Sequence, residues 1–255
     1  MTAGAGADAA RTTNIVAHIE AGVRSFAPEP WPEEELRVGI SHVADVNFCP
    51  TQETYDNLEK GRKGGSASYV TGNTIVSSLA EMGIQPCNAT EPKTILITLH
   101  RRELRDDPQL PDIVAGLFKG MRRFSETRFL WPMHPAMRHI DVSNQPDNLE
   151  ITGPLSYLTF LLRLSTCEGV ITDSGGVIEE AATLGVPTII FRKYNDRPEA
   201  ERKGIALRET PSFSGGRSAV RWLVTNLIPR KPSFVFGQPD AAAKIAQHLS
   251  NLVET

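Results

Sequence analysis

The chain is 255 residues long, with 40% hydrophobic residues, 22% charged residues and a formal net charge of −3, values of an ordinary globular protein with room for a sizeable core. That charge balance gives no general reason to bind nucleic acid or anionic membrane, so any phosphate must be held by a local site. No apolar run approaches the roughly 20 residues that span a bilayer, residues 1–13 are small and polar without the apolar stretch of a secretory signal, and Cys49, Cys87 and Cys167 are too scattered for a disulfide framework or a zinc site.

The cytoplasm is therefore the expected location, and each cysteine is expected to be a buried small hydrophobe. Short β-branched runs alternate with helical periodicity, which predicts an α/β fold with parallel strands. The first expected strand is 14–19, ending in Glu20-Ala21-Gly22. In the loop Ala27-Pro28-Glu29-Pro30-Trp31-Pro32 the prolines can neither continue a strand nor enter a helix interior, though Pro32 can start one. A helix is expected over 33–44, with acids in its first turn where the macrodipole favours them. A strand at 46–49, a helix at 51–60, a strand at 68–71 and a helix at 74–82 follow, with Gly72-Asn73 as a hinge. Residues 83–93 carry two prolines and no periodicity and read as a linker between domains.

The second half opens with an apolar run at 94–99 suited to a buried parallel strand. A helix is expected at 111–125, strands at 128–131 and 149–152, and a helix at 157–164. Residues 169–172, 177–184 and 187–191 read as a strand–helix–strand unit, and a last helix spans 240–253.

The strongest local signal is Thr172-Asp173-Ser174-Gly175-Gly176-Val177-Ile178-Glu179-Glu180, where a strand ends and a helix begins. Gly175 and Gly176 let backbone N–H groups approach an anion, the helix N-terminus favours a phosphate, and Ser174 can donate a further hydrogen bond. Glu179 and Glu180 offer carboxylates suited to ribose hydroxyls. The competing reading is a Ser N-cap, a Gly-rich turn and first-turn acids that only stabilise the helix. It is not a Walker loop, since no Lys-Ser or Lys-Thr pair follows.

A second cluster, His100-Arg101-Arg102-Glu103, follows a buried strand and is either a diphosphate contact or an exposed basic turn. A third is acidic: Glu20 at a strand end, and Glu33-Glu34-Glu35 with Arg37. Two separated carboxylates can share acid and base work if their environments part their pKa values; the alternative for 33–35 is a solvated first turn. His134 stands alone in the sequence, and Arg197-Pro198-Glu199-Ala200 either lines the same region or starts a helix on Pro198.

The segments HIEAGVRS (18–25), PWPEEELR (30–37), VTGNT (70–74), HRRE (100–103), DSGGVIEEAATLGVP (173–187) and RPEA (197–200), in this order, resemble the non-hydrolysing UDP-N-acetylglucosamine 2-epimerases over most of 14–210. The resemblance implies a GT-B-like α/β fold: a partial N-terminal Rossmann-like domain (1–82), a linker (83–93), a complete C-terminal Rossmann-like domain that binds UDP (94–237), and a C-terminal helix (238–255) able to pack back on the first. It further implies that Ser174, Gly175 and Gly176 hold the diphosphate, Glu180 the ribose, and His100 the leaving diphosphate. Glu20 and Glu33 become the acid/base candidates, with Arg37, Arg101, His134 and Arg197 as substrate contacts. UDP is eliminated to a 2-acetamidoglucal and re-added after C2 is reprotonated on the opposite face, with no nicotinamide, metal or other cofactor.

The sequence also departs from that family. Leu36 stands for its Asn, Ser41 for a common Asp, and Lys193-Tyr194-Asn195-Asp196 for Asp-Thr-Thr-Glu. About a hundred family residues precede HIEAG, including a Gly-Asp-Thr motif that supplies a catalytic Asp. Their absence leads to the expectation of an exposed strand edge and of either a homodimer or a partner chain supplying that segment. Three readings stay open: an epimerase acting on a UDP-sugar, a silent UDP-sugar-binding or regulatory subunit, and a GT-B glycosyltransferase.

Overall fold

The computed structural model describes residues 2–10, 12, 14–61, 66–88, 93–225 and 228–253. Contacts divide the chain into two compact units, Met1–Glu81 with Phe234–Thr255, and Met82–Ser233. Of the expected linker at 83–93, residues 89–92 lie outside the described residues, and the stretch up to 88 belongs to the second unit.

In chain order the first unit contributes α1 (Thr2–Ala10), β1 (Ala17–Ile19), α2 (Glu33–Val43), β2 (Val46–Cys49), α3 (Gln52–Gly61), β3 (Ala67–Val70) and α4 (Thr74–Glu81). The second follows with β4 (Thr94–Thr98), α5 (Arg102–Arg105), α6 (Leu110–Arg122), β5 (Arg128–Pro132), β6 (Leu149–Thr152), α7 (Tyr157–Thr166), β7 (Gly169–Thr172), α8 (Gly175–Leu184), β8 (Thr188–Phe191), α9 (Pro198–Arg202), β9 (Ala206–Glu209) and α10 (Phe213–Val224). The chain then returns to the first unit as α11 (Ala241–Val253). Among the described residues no helix is long and apolar enough to cross a membrane.

The second unit is built on a six-stranded sheet of order β6-β5-β4-β7-β8-β9, with every neighbouring pair parallel. Ile95 and Ile97 of β4, Ile171 of β7 and Ile189 of β8 pack with Ile113, Leu117 and Met121 of α6 and Val220 and Leu223 of α10. The intervening Leu96, Val170 and Ile190 are also fully buried. Both faces are therefore covered, which is why these strands read as unbroken apolar runs. Arg230 reaches into this unit and donates to the carbonyls of Cys87, Cys167 and Ser165, two of them at the C-terminal end of α7 where helix carbonyls lack partners. Burial pushes the Cys167 thiol up to about 12. Cys49 and Cys167 are buried as expected, but Cys87 is exposed, because it lies in an irregular segment that gives it no layer to enter.

The first unit carries a three-stranded parallel sheet of order β1-β2-β3. The expected first strand, 14–19, narrows to Ala17–Ile19, since Val16 N–H donates to the Asp45 carboxylate instead of a strand. A helix, α1, occupies Thr2–Ala10, where the sequence was expected only to be small and polar; alanine is the best helix former. Helix α11 lays Ile245 on Val46 and Phe48, with Leu249 and Leu252 beside them, and its His248 ring stacks on Tyr69 at 4.0 Å between centroids.

The approach to α11 is fixed by two glycines. Gly72 and Gly237 both have positive φ, 96° and 112°, and Asn73 N–H donates to Phe236 O at 2.7 Å. A Cβ on Gly237 would run into the Gly72 Cα. Gly237→Ala should therefore cost about 2 kcal/mol or more in urea unfolding. Gly153, with nothing within 4 Å of its added Cβ, should tolerate alanine within about 0.5 kcal/mol.

Candidate functional site

In the six-stranded sheet the chain moves from β4 outward to β5 and β6, then returns to place β7 on the other side of β4. Connections leave these two strands in opposite directions, which opens a crevice at their carboxyl ends, the usual ligand position in such sheets. His100 and Arg101 follow β4 there, and Asp173 to Gly176 follow β7.

Asp173 joins the two strand ends. Its side chain is fully buried, and its Oδ2 accepts from the backbone N–H of His100 and of Arg101, each at 2.8 Å. Its Oδ1 lies 3.4 Å from His100 Nδ1, too long for a good hydrogen bond but close enough to attract the imidazole once it is protonated. Burial holds His100 below its usual pKa, opposed by Asp173. Burial likewise pushes the Asp173 carboxyl up, opposed by His100 and the two N–H donors. His134, isolated in sequence, is not isolated in space. Its ring is 5.6 Å from that of His100, and its Nδ1 accepts from Ala136 N–H, capping a short 3-10 turn at Pro135–Met137.

Helix α8 begins at Gly175 with Ser174 in the N-cap position, yet the Ser174 hydroxyl makes no capping bond. The helix has no acid in its first turn, because it starts two residues earlier than the sequence suggested. Glu179 and Glu180 are thus not first-turn acids. These two facts weigh against the helix-stabilising reading of Ser174 and the two glutamates.

The two glutamates have separate surroundings. Glu179 is held by the Arg197 guanidinium, which also lies 3.3 Å from Asp196, while Arg192 binds the other Asp196 oxygen at 2.8 Å. All four side chains are buried. The Arg197 guanidinium lies 3.4 Å from where a Gly175 Cβ would stand, so it backs the turn from inside the protein. Glu180 instead accepts from the Tyr157 hydroxyl at 2.7 Å, and burial pushes its carboxyl up to about 7.

In the first unit Glu20 follows β1, exposed and with φ of 65°. Glu33, also exposed, starts α2 and lies 3.7 Å from Arg37 one turn on. Its neighbour Glu34 accepts from Ser25 N–H at 3.0 Å and Phe26 N–H at 3.4 Å, pinning the loop after Glu20 to the head of α2. Ser41, at the position where the resemblance leads one to expect Asp, bonds His18 at 3.1 Å and Arg24 at 3.3 Å. Burial, with Arg24 and Arg37 nearby, lowers the His18 pKa to about 4, so this imidazole is neutral near pH 7. Among the described residues no cluster of His, Cys, Asp or Glu could hold a metal ion.

Sequence reasoning passed over three contributors: Asp173, Tyr157 and the Arg192–Asp196 pair. Only Asp173 left a signal, its place just before Ser174 at a strand end. If the Asp173 carboxylate supports the imidazolium, Asp173→Asn should move the His100 titration further down, followed through the imbalance of its ring carbon shifts by NMR. An unchanged or raised midpoint would count against the pairing.

The family described as UDP-N-acetylglucosamine 2-epimerase matches residues 1–250. The UDP-N-acetylglucosamine 2-epimerase of Bacillus subtilis (strain 168) is 34% identical over 204 residues, 74% of this chain and 52% of the relative. The chain thus spans about half the length of that relative. The crystal structure of the Neisseria meningitidis UDP-GlcNAc 2-epimerase bound to UDP-GlcNAc superposes with a TM-score of 0.87 at 27% identity, covering 98% of this chain and 74% of the other. That of the Methanocaldococcus jannaschii enzyme in complex with UDP-GlcNAc and UDP gives 0.83 at 29% identity, covering 97% and 72%. The Rossmann-like α/β architecture, of GT-B type, is shared with these structures, and with the family match across nearly its whole length the chain belongs to the UDP-N-acetylglucosamine 2-epimerase family.

Proposed function

We propose that the chain acts in the epimerisation of UDP-N-acetylglucosamine to UDP-N-acetylmannosamine, by elimination and re-addition of UDP. The observation that carries this reading is the Asp173-held His100 beside the uncapped Ser174 at the head of α8. Ser174 and the N–H groups of Gly175 and Gly176 hold the diphosphate, Glu180 the ribose, and Arg37, Arg101 and His134 contact the substrate. Arg197 supports the turn from behind.

Glu20 and Glu33 share the acid and base work. One takes the C2 proton as the C1–O bond breaks, and the bonding pair leaves on the UDP oxygen, giving 2-acetamidoglucal. A proton then returns to C2 on the opposite face while the UDP oxygen re-bonds to C1. His100, which burial holds below its usual pKa, donates a hydrogen bond to the departing diphosphate oxygen, and Asp173 beside it favours the protonated imidazole. The cytoplasm is the proposed location. The proposed active form is a homodimer. Strand β1 forms an edge of its sheet with Ile15 and Ile19 exposed beside it, which supports such a partner.

Incubating the protein with UDP-N-acetylglucosamine in D₂O tests the reading. UDP-N-acetylmannosamine should appear with deuterium at C2, and Glu20→Gln should slow turnover by about 10²-fold or more. UDP binding without either product or exchange would overturn epimerisation and leave a sugar-nucleotide-binding subunit.

A further inference from the structure

Among the described residues Tyr157 is the one polar partner of the Glu180 side chain. Its hydroxyl donates to Glu180 Oε1 at 2.7 Å, so the phenol does not engage Oε2. Glu180 is 3% exposed, and a buried carboxylate with no cation against it is costly to ionise. The charged groups nearby are otherwise engaged: Glu179 on the same helix and Arg197 at the head of α9 bind each other. What remains to favour the ionised form is the phenol, whose hydrogen bond opposes the effect of burial. The phenol's own pKa is pushed well above its usual value by burial and by Glu180, so it remains a donor throughout the physiological range.

The position of Tyr157 is fixed by the backbone. It is the first residue of α7, behind Ser156, whose hydroxyl accepts from Thr159 N–H at 3.2 Å. Helix α7 follows β6 as α8 follows β7, so both helices start at the carboxyl edge of the same parallel sheet. Tyr157 is also 45% exposed, an unusual position for a ring whose hydroxyl serves a buried acid.

We propose that Tyr157 is a positioning residue for ribose recognition, its hydroxyl holding Oε1 of Glu180 so that Oε2 faces the vicinal hydroxyls of a bound nucleotide. This rests on the ribose role given to Glu180 above. By keeping that carboxylate oriented and ionised near neutral pH, Tyr157 sets how strongly the site prefers a ribonucleotide to its 2′-deoxy counterpart.

Calorimetric titration of the whole protein with UDP and with 2′-deoxy-UDP between pH 6 and 9 separates this from phosphate titration, which both ligands share. The ratio of the two Kd values in the wild type should rise with pH through about 7, as Glu180 loses its proton. Tyr157→Phe removes the donor and lets burial push Glu180 higher. Its ratio at pH 7 should fall by about three- to tenfold and its rise should move to higher pH. A Tyr157→Phe profile that superimposes on the wild type overturns the proposal. Glu180→Gln should give a flat ratio close to unity; if it keeps the wild-type ratio, the ribose role of Glu180 fails as well.

Discussion

One buried carboxylate organises the second unit's ligand end. Asp173 accepts backbone N–H groups from the residues after β4 while belonging to the chain after β7, so it fixes the two ends of the crevice relative to each other. It also faces the imidazole that projects there. Leaving a buried donor unsatisfied costs about 1–3 kcal/mol, so replacing Asp173 with a side chain that has no acceptor should loosen the two strand ends. The same atoms therefore provide fold and chemistry.

Behind the turn a second polar group works by a different rule. Arg192, Asp196, Arg197 and Glu179 form a buried chain of alternating charge. Such a chain adds little to stability over an apolar core of the same shape, but removing one member strands its partner at a cost of about 3–5 kcal/mol. Its geometric effect is specific, since it places a guanidinium against Gly175 and so backs the turn at the head of α8. Asp196 spans both arginines, accepting from Arg192 on one oxygen and facing Arg197 with the other.

The six-stranded sheet was legible in the sequence because its central strands are buried on both faces, so β4, β7 and β8 announce themselves as apolar runs. Strand β9 and helix α10, like α1, were not. Strand β9 carries Arg208 and Glu209 on an edge, where no second neighbour demands apolar residues. Helix α10 contains Gly215 and Gly216 in its first turns, residues of low helix propensity. In the structure the added Cβ of Gly216 would meet Leu117 N at 2.7 Å, so that glycine is where α10 packs against the backbone of α6. For the site, strand ends and glycines showed where His100 and Ser174 belong. The local pattern left Glu179 and Glu180 equivalent and only the family resemblance singled out Glu180, because their partners, Arg197 and Tyr157, come from other elements.

The central claim is that the β4–β7 crevice is a diphosphate site with His100 as its proton-carrying side chain. A crystal structure of the protein with UDP tests it most directly. The account predicts the diphosphate at the head of α8, within hydrogen-bond reach of Ser174, of the Gly175 and Gly176 N–H groups and of His100 Nε2, with the ribose at Glu180. UDP seated elsewhere, for example in the groove that Arg122, Arg128 and Arg163 line at the other end of β5, with Ser174 and His100 untouched, would contradict it.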